Sequence, residues 1–473
     1  MSASAPDAIV VGAGPNGLAA AIELASSGRS VVVYEAAESI GGGTRTAELT
    51  LPGFHHDVCS AVHPLVLASP FFSRLPLADL GIKLCHPDVP FAHPLDAGGG
   101  AAVYRSIEET AAGLGADGPS YIRLMRPLVE HLEELMDGVL GPLAIPRHPL
   151  VMARFGWNAI RSAKGLAARF KGAEARAIVA GAGAHSMLPL DRRPTGGVSL
   201  LLTLLAHAVG WPVVRGGSQR IAEGMVAHLR SLGGEVVTNS PVSSLSELPK
   251  SRAVLFDLTP RQVLRIAGSY LPDRYKRSLS RYRYGPGIFK VDWALIEPVP
   301  WSSDVIRSAG TVHVGGTFEE IARAEARMSR GEHAERPYVL LAQQSLADPS
   351  RAPEGKHTLW GYCHVPSGST RDMTETVEAQ IERFAPGFRD IVLERAVRTA
   401  QDYENYNPNY VGGDINGGVQ DLRQHFLRPV ARLSPYTTPN KRLFFCSSAT
   451  PPGGGVHGMS GYHAARAVLK RQK

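Results

Sequence analysis

The chain has only four cysteines, Cys59, Cys85, Cys363 and Cys446, and no two of them stand in a C-x-x-C spacing. This excludes the usual redox dithiol and the common structural zinc patterns, and it suits a reducing compartment. No metal site is expected. Long apolar runs are missing too. The nearest, Val198 to Val214, is interrupted by Ser199, Thr203, His207, Gly210 and Pro212, so no segment is expected to span a bilayer. The first strand-like run starts after seven residues with no basic and apolar leader before it, and the final KRQK is not a peroxisomal tripeptide. A cytoplasmic protein, or one peripheral to a membrane, is the expectation. Charge is nearly balanced: Lys plus Arg number 50 against 43 Asp plus Glu. Without a long basic run or basic–aromatic interleaving, a nucleic-acid partner is not expected. What remains is an ordinary globular composition, 44% hydrophobic and 20% charged, in a chain of 473 residues. That length exceeds one compact core and implies two or more domains.

The stretch Ala8 to Glu35 organises the rest. Ile9, Val10 and Val11 read as a buried parallel strand. Gly12, Gly14 and Gly17 form G-x-G-x-x-G at a strand-to-helix turn, an Ala/Leu-rich helix follows to Ser26, and Gly28 closes it. A second β-branched strand ends on Glu35, 23 residues after Gly12. The glycines permit a tight turn and close approach of a pyrophosphate, with Asn16 inside the same turn. The helix N-terminus faces the phosphates, and the acid accepts hydrogen bonds from ribose hydroxyls. An acid at that place disfavours a ribose 2′-phosphate, so FAD or NAD fits better than NADP. A glycine loop, Gly41 to Gly43, then leads to Arg45, whose charge can serve the same phosphates.

Downstream, His55, His56, Asp57, Cys59 and His63 crowd into nine residues. Their spacing matches no common zinc pattern, so a pocket-lining loop or hydrogen-bonded local structure is expected. From about Phe71 to Val214 the pattern is largely helical. Residues 151–170 read as one amphipathic helix: Val151, Met152, Phe155, Ala159, Ala163, Leu166 and Phe170 share a face, with Arg154, Arg161 and Lys164 opposite. Such a helix either caps the domain's own core or lies on an anionic membrane surface. After Val214 the α/β pattern returns through Gln219–Leu232, Glu235–Thr238, Val242 and Ala253–Thr259. Mixed strands with long connections follow, and Lys290 and Asp292 sit on one of them. A strand at Leu443–Cys446 and a helix from about Gly458 end the chain.

Three separated blocks agree: GAGPNGLAAAIELA with Glu35 and GGGTRT, then RGGSQRIAEGMVAHLRSLGGEVVTNSPVSSL, then LFFCSSATPPGGGVHGMSGYHAA. Together they resemble the FAD-dependent oxidoreductases of the phytoene (carotenoid) desaturase and amine oxidase superfamily, nearest the phytoene-desaturase-related branch named for a pyridine nucleotide-disulfide oxidoreductase domain. HHDVCSAVHPLVLASPFF, RYRYGPGIFKVDWAL, FAPGFRDIV and NPNYVGGDINGG look like that branch as well, so the resemblance covers nearly the whole chain. It implies FAD held without a covalent link. Gly12, Gly14 and Gly17 would meet the pyrophosphate, Glu35 the adenosine ribose, and Gly42, Gly43 and Arg45 the flavin side. Val242 would contact the adenine, and Gly458 and Met459 would lie under the isoalloxazine. The chain departs from the family pattern in having Gly43 directly after the glycine doublet, with Arg45 two places on, and His457 in the last glycine loop where carotenoid enzymes carry Pro.

The expected fold is α/β: a Rossmann-like, glutathione-reductase-type FAD domain, discontinuous over residues 1–70, 214–270 and 425–473. An α+β substrate-binding domain, a mixed or antiparallel sheet with helices, would take 71–213 and 271–424. The expected reaction is dehydrogenation of a largely apolar small molecule by hydride transfer to flavin, with oxygen or a quinone-like acceptor receiving the electrons. A helix beginning near Gly458 would aim its positive end at the flavin, and the same field would favour neutral His457. His457 is therefore the candidate catalytic side chain, fixing the loop being its alternative role. Amine oxidation in the same architecture, redox-neutral isomerisation on reduced FAD, and a non-catalytic flavoprotein that binds a partner or membrane are the rival readings.

Overall fold

A computed structural model describes residues 5–142 and 144–472. Two sheets dominate it. The first is a five-stranded parallel sheet in the order Leu443–Phe445, Ala253–Phe256, Ala8–Val11, Val31–Tyr34, Glu235–Val237. Ala8–Val11 lies at its centre, Ile9 opposite both Val254 and Val32, with every residue buried. Buried on both faces, that strand reads as an unbroken apolar run rather than an alternating one. Strands from three distant stretches of sequence therefore share one sheet.

The first helix, Pro15–Ser26, starts with Pro at the position whose missing N–H costs nothing. Its Ala and Leu side chains are buried nearly all round because it packs against both the sheet and the last helix, Met459–Arg471. That last helix begins at Met459, with Gly458 capping it at a left-handed φ of 68°.

The second sheet has seven strands and is antiparallel except where Ala309–Val314 runs parallel to Val89–Pro94. Its strand Gly287–Leu295, one in from the edge, pairs with His357–Val365, so that Lys290 faces Tyr362 and Asp292 faces Trp360. Strand alternation then sorts the side chains. Phe289, Val291, Trp293, Leu359 and Cys363 join one core, while Trp360, Tyr362, Leu340 and Ala342 join another on the opposite face. Lys290 and Asp292 alternate with Phe289, Val291 and Trp293 and therefore share the face of Trp360 and Tyr362. Helices between residues 118 and 208 cover that face.

One expectation needs correction. Residues 151–170 do not form a single helix. A helix Pro149–Ala159 stops, and a short one, Ala163–Ala167, begins after Ser162, whose hydroxyl accepts the Gly165 N–H at 3.1 Å. Ser162 is a strong N-cap signal inside an apolar pattern that continues in phase across the break. The predicted apolar stripe points inward: Phe155, Ala163, Leu166 and Phe170 are buried and Val151, Met152 and Ala159 half-buried. Among the described residues, no helix is long and apolar enough to cross a membrane.

Candidate functional site

At the carboxyl end of Ala8–Val11 the chain turns through Gly12, whose φ of 104° is open to glycine and strained for other residues. A Cβ on Gly17 would lie 2.1 Å from the Gly12 carbonyl oxygen, so the helix can approach the strand only without a side chain there. Glu35, ending the second strand, is buried. Its Oε2 accepts the Ala13 N–H at 2.7 Å and its Oε1 the Ala37 N–H at 3.0 Å. Arg45 donates from Nη2 to Glu35 Oε1 at 3.2 Å and to the Ser39 carbonyl at 2.7 Å. Its guanidinium thus lies at the Glu35 carboxylate.

These residues open onto one cavity of about 580 Å³. Gly12, Gly14, Asn16, Glu35, Gly42, Gly43, Arg45 and Val242 all line it. Gly17 donates its N–H instead to Asp257 Oδ2 at 2.9 Å, and Gly458, Met459 and His457 are not among the lining residues. Asn16 is buried and its Oδ1 has no partner among the described residues. Gly14 caps the first helix without a side chain, which leaves its N-terminal field open to the cavity. An orphaned polar atom beside a bare helix end and a buried acid at the end of the second strand fits a flavin or dinucleotide cofactor.

Asp257 was missed in the sequence. It follows the strand Ala253–Phe256 directly, which places it at the carboxyl end of the strand beside Ala8–Val11, where open α/β sheets bind ligands. It is half-buried on the cavity wall, and its partial burial, with Glu35 nearby, raises its carboxyl to about 7. A group titrating near neutrality can lose its charge next to an arriving phosphate.

The cavity runs from this end to the second sheet, where Thr311, Leu340, Ala342, Trp360 and Tyr362 face it, with Leu202, Trp211 and His185 closing over them. Tyr406 and Tyr410 stand between the two ends, Tyr410 with its hydroxyl against Gly43. The lining carboxylates are Glu35 and Asp257, and both belong to the dinucleotide end. His185 contacts His313, Nε2 to Nε2 at 2.9 Å, and burial lowers it to about 3, so it is neutral.

Behind Trp360 lies a buried charged group. Lys290 pairs with Asp292 and its Nζ sits 5.6 Å from the Trp360 ring centroid. Burial pushes Asp292 up and Lys290 down, drawing both towards their neutral forms. Asp292 Oδ1 and His56 Nδ1 face one another at 3.6 Å, and neither makes a hydrogen bond. Burial and Lys290 lower His56 to about 3. Next to it, Arg351 is completely buried. Its Nε donates to Asp348 Oδ2 and its Nη2 to Asp57 Oδ2, each at 3.0 Å, while Asp57 Oδ1 also accepts the Ser218 N–H at 2.8 Å. The crowded His55–His63 segment is thus a hydrogen-bonded knot on one side and a cavity wall, Cys59 and His63, on the other. Among the described residues, no group of His, Cys, Asp and Glu could hold a metal ion.

His457 has both ring nitrogens engaged inside its loop. Nδ1 accepts the Met459 N–H at 3.0 Å, so Nε2 carries the proton and donates to the Gly453 carbonyl at 3.2 Å. Burial lowers it to about 4. Its backbone carbonyl accepts from Ser69 Oγ at 2.6 Å. The neighbours Gly454, Gly455 and Val456, not the imidazole, meet the cavity.

Residues 10–73 match the family model of the NAD(P)-binding Rossmann-like domain. Over 99% of its length the chain is 24% identical to 94% of the rat (Rattus norvegicus) pyridine nucleotide-disulfide oxidoreductase domain-containing protein 2. It is also 24% identical, over 96% of its length, to 92% of the neurosporene-forming phytoene desaturase of Rhodobacter capsulatus. In three dimensions it resembles a triple variant of putrescine oxidase with a TM-score of 0.61 and 19% identity, covering 98% of this chain and 99% of that one. Fold, site and similarities define an oxidoreductase with a Rossmann-type dinucleotide domain. Within that class it is similar in sequence to the rat protein and to the phytoene desaturase, and similar in fold to putrescine oxidase.

Proposed function

We propose that this chain is an FAD-dependent dehydrogenase of a largely apolar, uncharged small molecule, the product carrying a new carbon–carbon double bond. The observation that supports this best is the far end of the cavity, where Leu202, Trp211, Leu340, Ala342, Trp360 and Tyr362 supply apolar surface, no carboxylate among the described residues joins the lining, and Lys290 lies behind Trp360. An ammonium substrate would be buried there without a counter-charge, at a cost of several kcal/mol. FAD is favoured over NADP by Glu35 and over NAD by the reach of the cavity past the ribose acid to Gly454–Val456 and the second sheet. When bound, FAD supplies the hydride acceptor. The chain's own residues then divide the work. The Gly12–Gly17 turn and Glu35 bind, Trp360 and Tyr362 orient the substrate and exclude water, and His457 positions the last glycine loop by bridging Gly453 and Met459. Oxygen or a quinone-like molecule would take the electrons, and similarity to a phytoene desaturase supports desaturation as the outcome.

Amine oxidation is the second reading, favoured by four aromatic side chains on the cavity wall (Trp360, Tyr362, Tyr406, Tyr410) and by the likeness to putrescine oxidase. The absorbance spectrum of the purified protein tests the cofactor: retained FAD supports the proposal, and a colourless protein that takes up NAD instead contradicts it. Anaerobic mixing with lipids, polyenes and amines then tests the substrate class. Flavin bleaching by the uncharged compounds is expected, and bleaching by amines alone would replace this reading with the second.

A further inference from the structure

The helix Pro149–Ala159 is apolar on two sides. Its inner side carries Met152, Phe155 and Ala159. Its outer side presents Leu150, Ala153, Arg154, Trp157 and Ile160, which at 100° per residue fall within one stripe. Leu150 is 85% and Trp157 71% exposed, and Ile145 just before the helix is 93% exposed. Of the thirteen exposed large hydrophobics among the described residues, four (Ile145, Leu150, Trp157, Ile160) lie within this short segment. Scattered exposed apolar residues are ordinary, whereas a cluster on one helix face is not.

The charge around it is one-sided. From Gly138 to Ala173 the sequence contains no Asp or Glu and six cations: Arg147, Arg154, Arg161, Lys164, Arg169 and Lys171. Of these only Arg147 reaches a carboxylate among the described residues, Asp137 at 3.6 Å. The Arg161 guanidinium lies 5.9 Å from the Trp157 ring centroid, at the border of the stripe.

We propose that this outer face docks the protein on an anionic lipid surface, with Leu150, Trp157, Ile160 and Ile145 entering the headgroup–acyl boundary and the surrounding cations meeting the lipid phosphates. Each component has its physical role: apolar area and an amphipathic indole supply the interfacial affinity, and the cations select anionic lipid. A second copy of the chain fits worse, because a symmetric contact would set the six cations against their equivalents. A nucleic acid would use the cations and leave the aliphatic side chains without a partner. The docking face is joined to the cavity through a single helix. Pro149–Ala159 packs on Thr195–Ala208 at Gly197, where a Cβ would lie 2.7 Å from the Ala159 carbonyl oxygen, and Leu202 of that second helix lines the cavity. On the reading of an apolar substrate, docking sets the cavity one helix away from the phase in which that substrate dissolves. The docking itself is independent of cofactor and substrate.

Flotation of the purified protein with phosphatidylcholine–phosphatidylglycerol vesicles, and with phosphatidylcholine vesicles alone, tests this directly. The protein has five tryptophans, and the other four (Trp211, Trp293, Trp301, Trp360) are buried, so a blue shift of emission on adding vesicles reports Trp157. Wild type should float with the anionic vesicles and show the shift. Leu150→Glu/Trp157→Glu should bind about tenfold less or worse. Arg154→Gln/Arg161→Gln should weaken anionic binding by about tenfold and lose most of its salt dependence. Both variants change exposed or half-exposed side chains, so unchanged melting temperatures verify the fold. Wild type left at the bottom of the gradient, double-Glu protein floating like wild type, or a dimer that the double-Glu variant splits would each overturn the proposal.

Discussion

The two ends of the cavity are built on opposite plans. At the dinucleotide end the backbone does the shaping: Gly12, Gly14 and Gly17 let strand and helix close on each other, and the acids Glu35 and Asp257 hold amide N–H groups at 2.7 to 3.0 Å. At the sheet end, side chains from remote strands make the wall, and the charges are withdrawn behind it as the pair Lys290–Asp292 and the knot around Arg351. The first plan suits a ligand of fixed size and charge. The second suits a ligand recognised by apolar area, with polarity kept out of contact. Substitutions at the first end should act by steric exclusion, and at the second by unpairing charge.

The largest effect is expected from Lys290→Met, which strands the Asp292 carboxylate in the core and should cost about 4 kcal/mol. The loss should shrink as pH falls, because Asp292 then takes up a proton. Lys290→Met/Asp292→Leu should recover most of the stability, as thermal or urea unfolding would show; an equal loss in both variants would mean that packing, not charge, governs this end. Next, Gly17→Ala forces a methyl against the Gly12 carbonyl and should cost about 3 kcal/mol together with cofactor retention. Gly28→Ala is its control. It sits at positive φ, 76°, meets nothing within 4 Å, and should cost only about 1 kcal/mol with retention intact.

A pH effect follows from Asp257. Its carboxyl, near 4 in the unfolded chain, lies at about 7 in the folded protein, so the folded state binds more protons in that window. Its contribution is therefore fully present below about pH 4 and lost as pH rises through 7. Asp257→Asn should gain on wild type across that interval in cofactor-free melting curves, and parallel curves would contradict the assignment. The smallest effect is expected at His457, where His457→Ala removes the acceptor for the Met459 N–H and should cost about 1 kcal/mol. His457 titrates at about 4, so it should produce no activity limb between pH 6 and 8; a limb there abolished by this variant would assign it a proton-transfer role.

The same contrast governs what was legible in the sequence. Ala8–Glu35 announces its turn, helix and acid because their geometry depends on neighbours within one βαβ unit. Asp257 was passed over because a single acid after a short strand gains meaning only when Ala253–Phe256 is known to lie beside Ala8–Val11. Arg351 stands out by nothing in the sequence, since beyond Asp348, three residues before it, its partners Asp57 and Val214 lie 294 and 137 residues away. Lys290 and Asp292 are legible as residues of one strand, but alternation alone does not say where they point, and only the pairing of Lys290 with Tyr362 fixes the face they take. The apolar periodicity of residues 151–170 continued through a real helix end, because inward-facing positions on both sides of Ser162 serve the same core. The outer stripe of Leu150, Trp157 and Ile160 was hidden by that stronger inner one.

The central claim is that the sheet end of the cavity takes uncharged apolar substrates. An anaerobic titration of the FAD-loaded protein measures it most directly, with two compounds of one carbon skeleton, one uncharged and one carrying an ammonium group, followed by loss of flavin absorbance. The account predicts bleaching by the uncharged compound, at least tenfold slower bleaching by the ammonium compound, and a narrower gap in Lys290→Met/Asp292→Leu. Faster bleaching by the ammonium compound would contradict it.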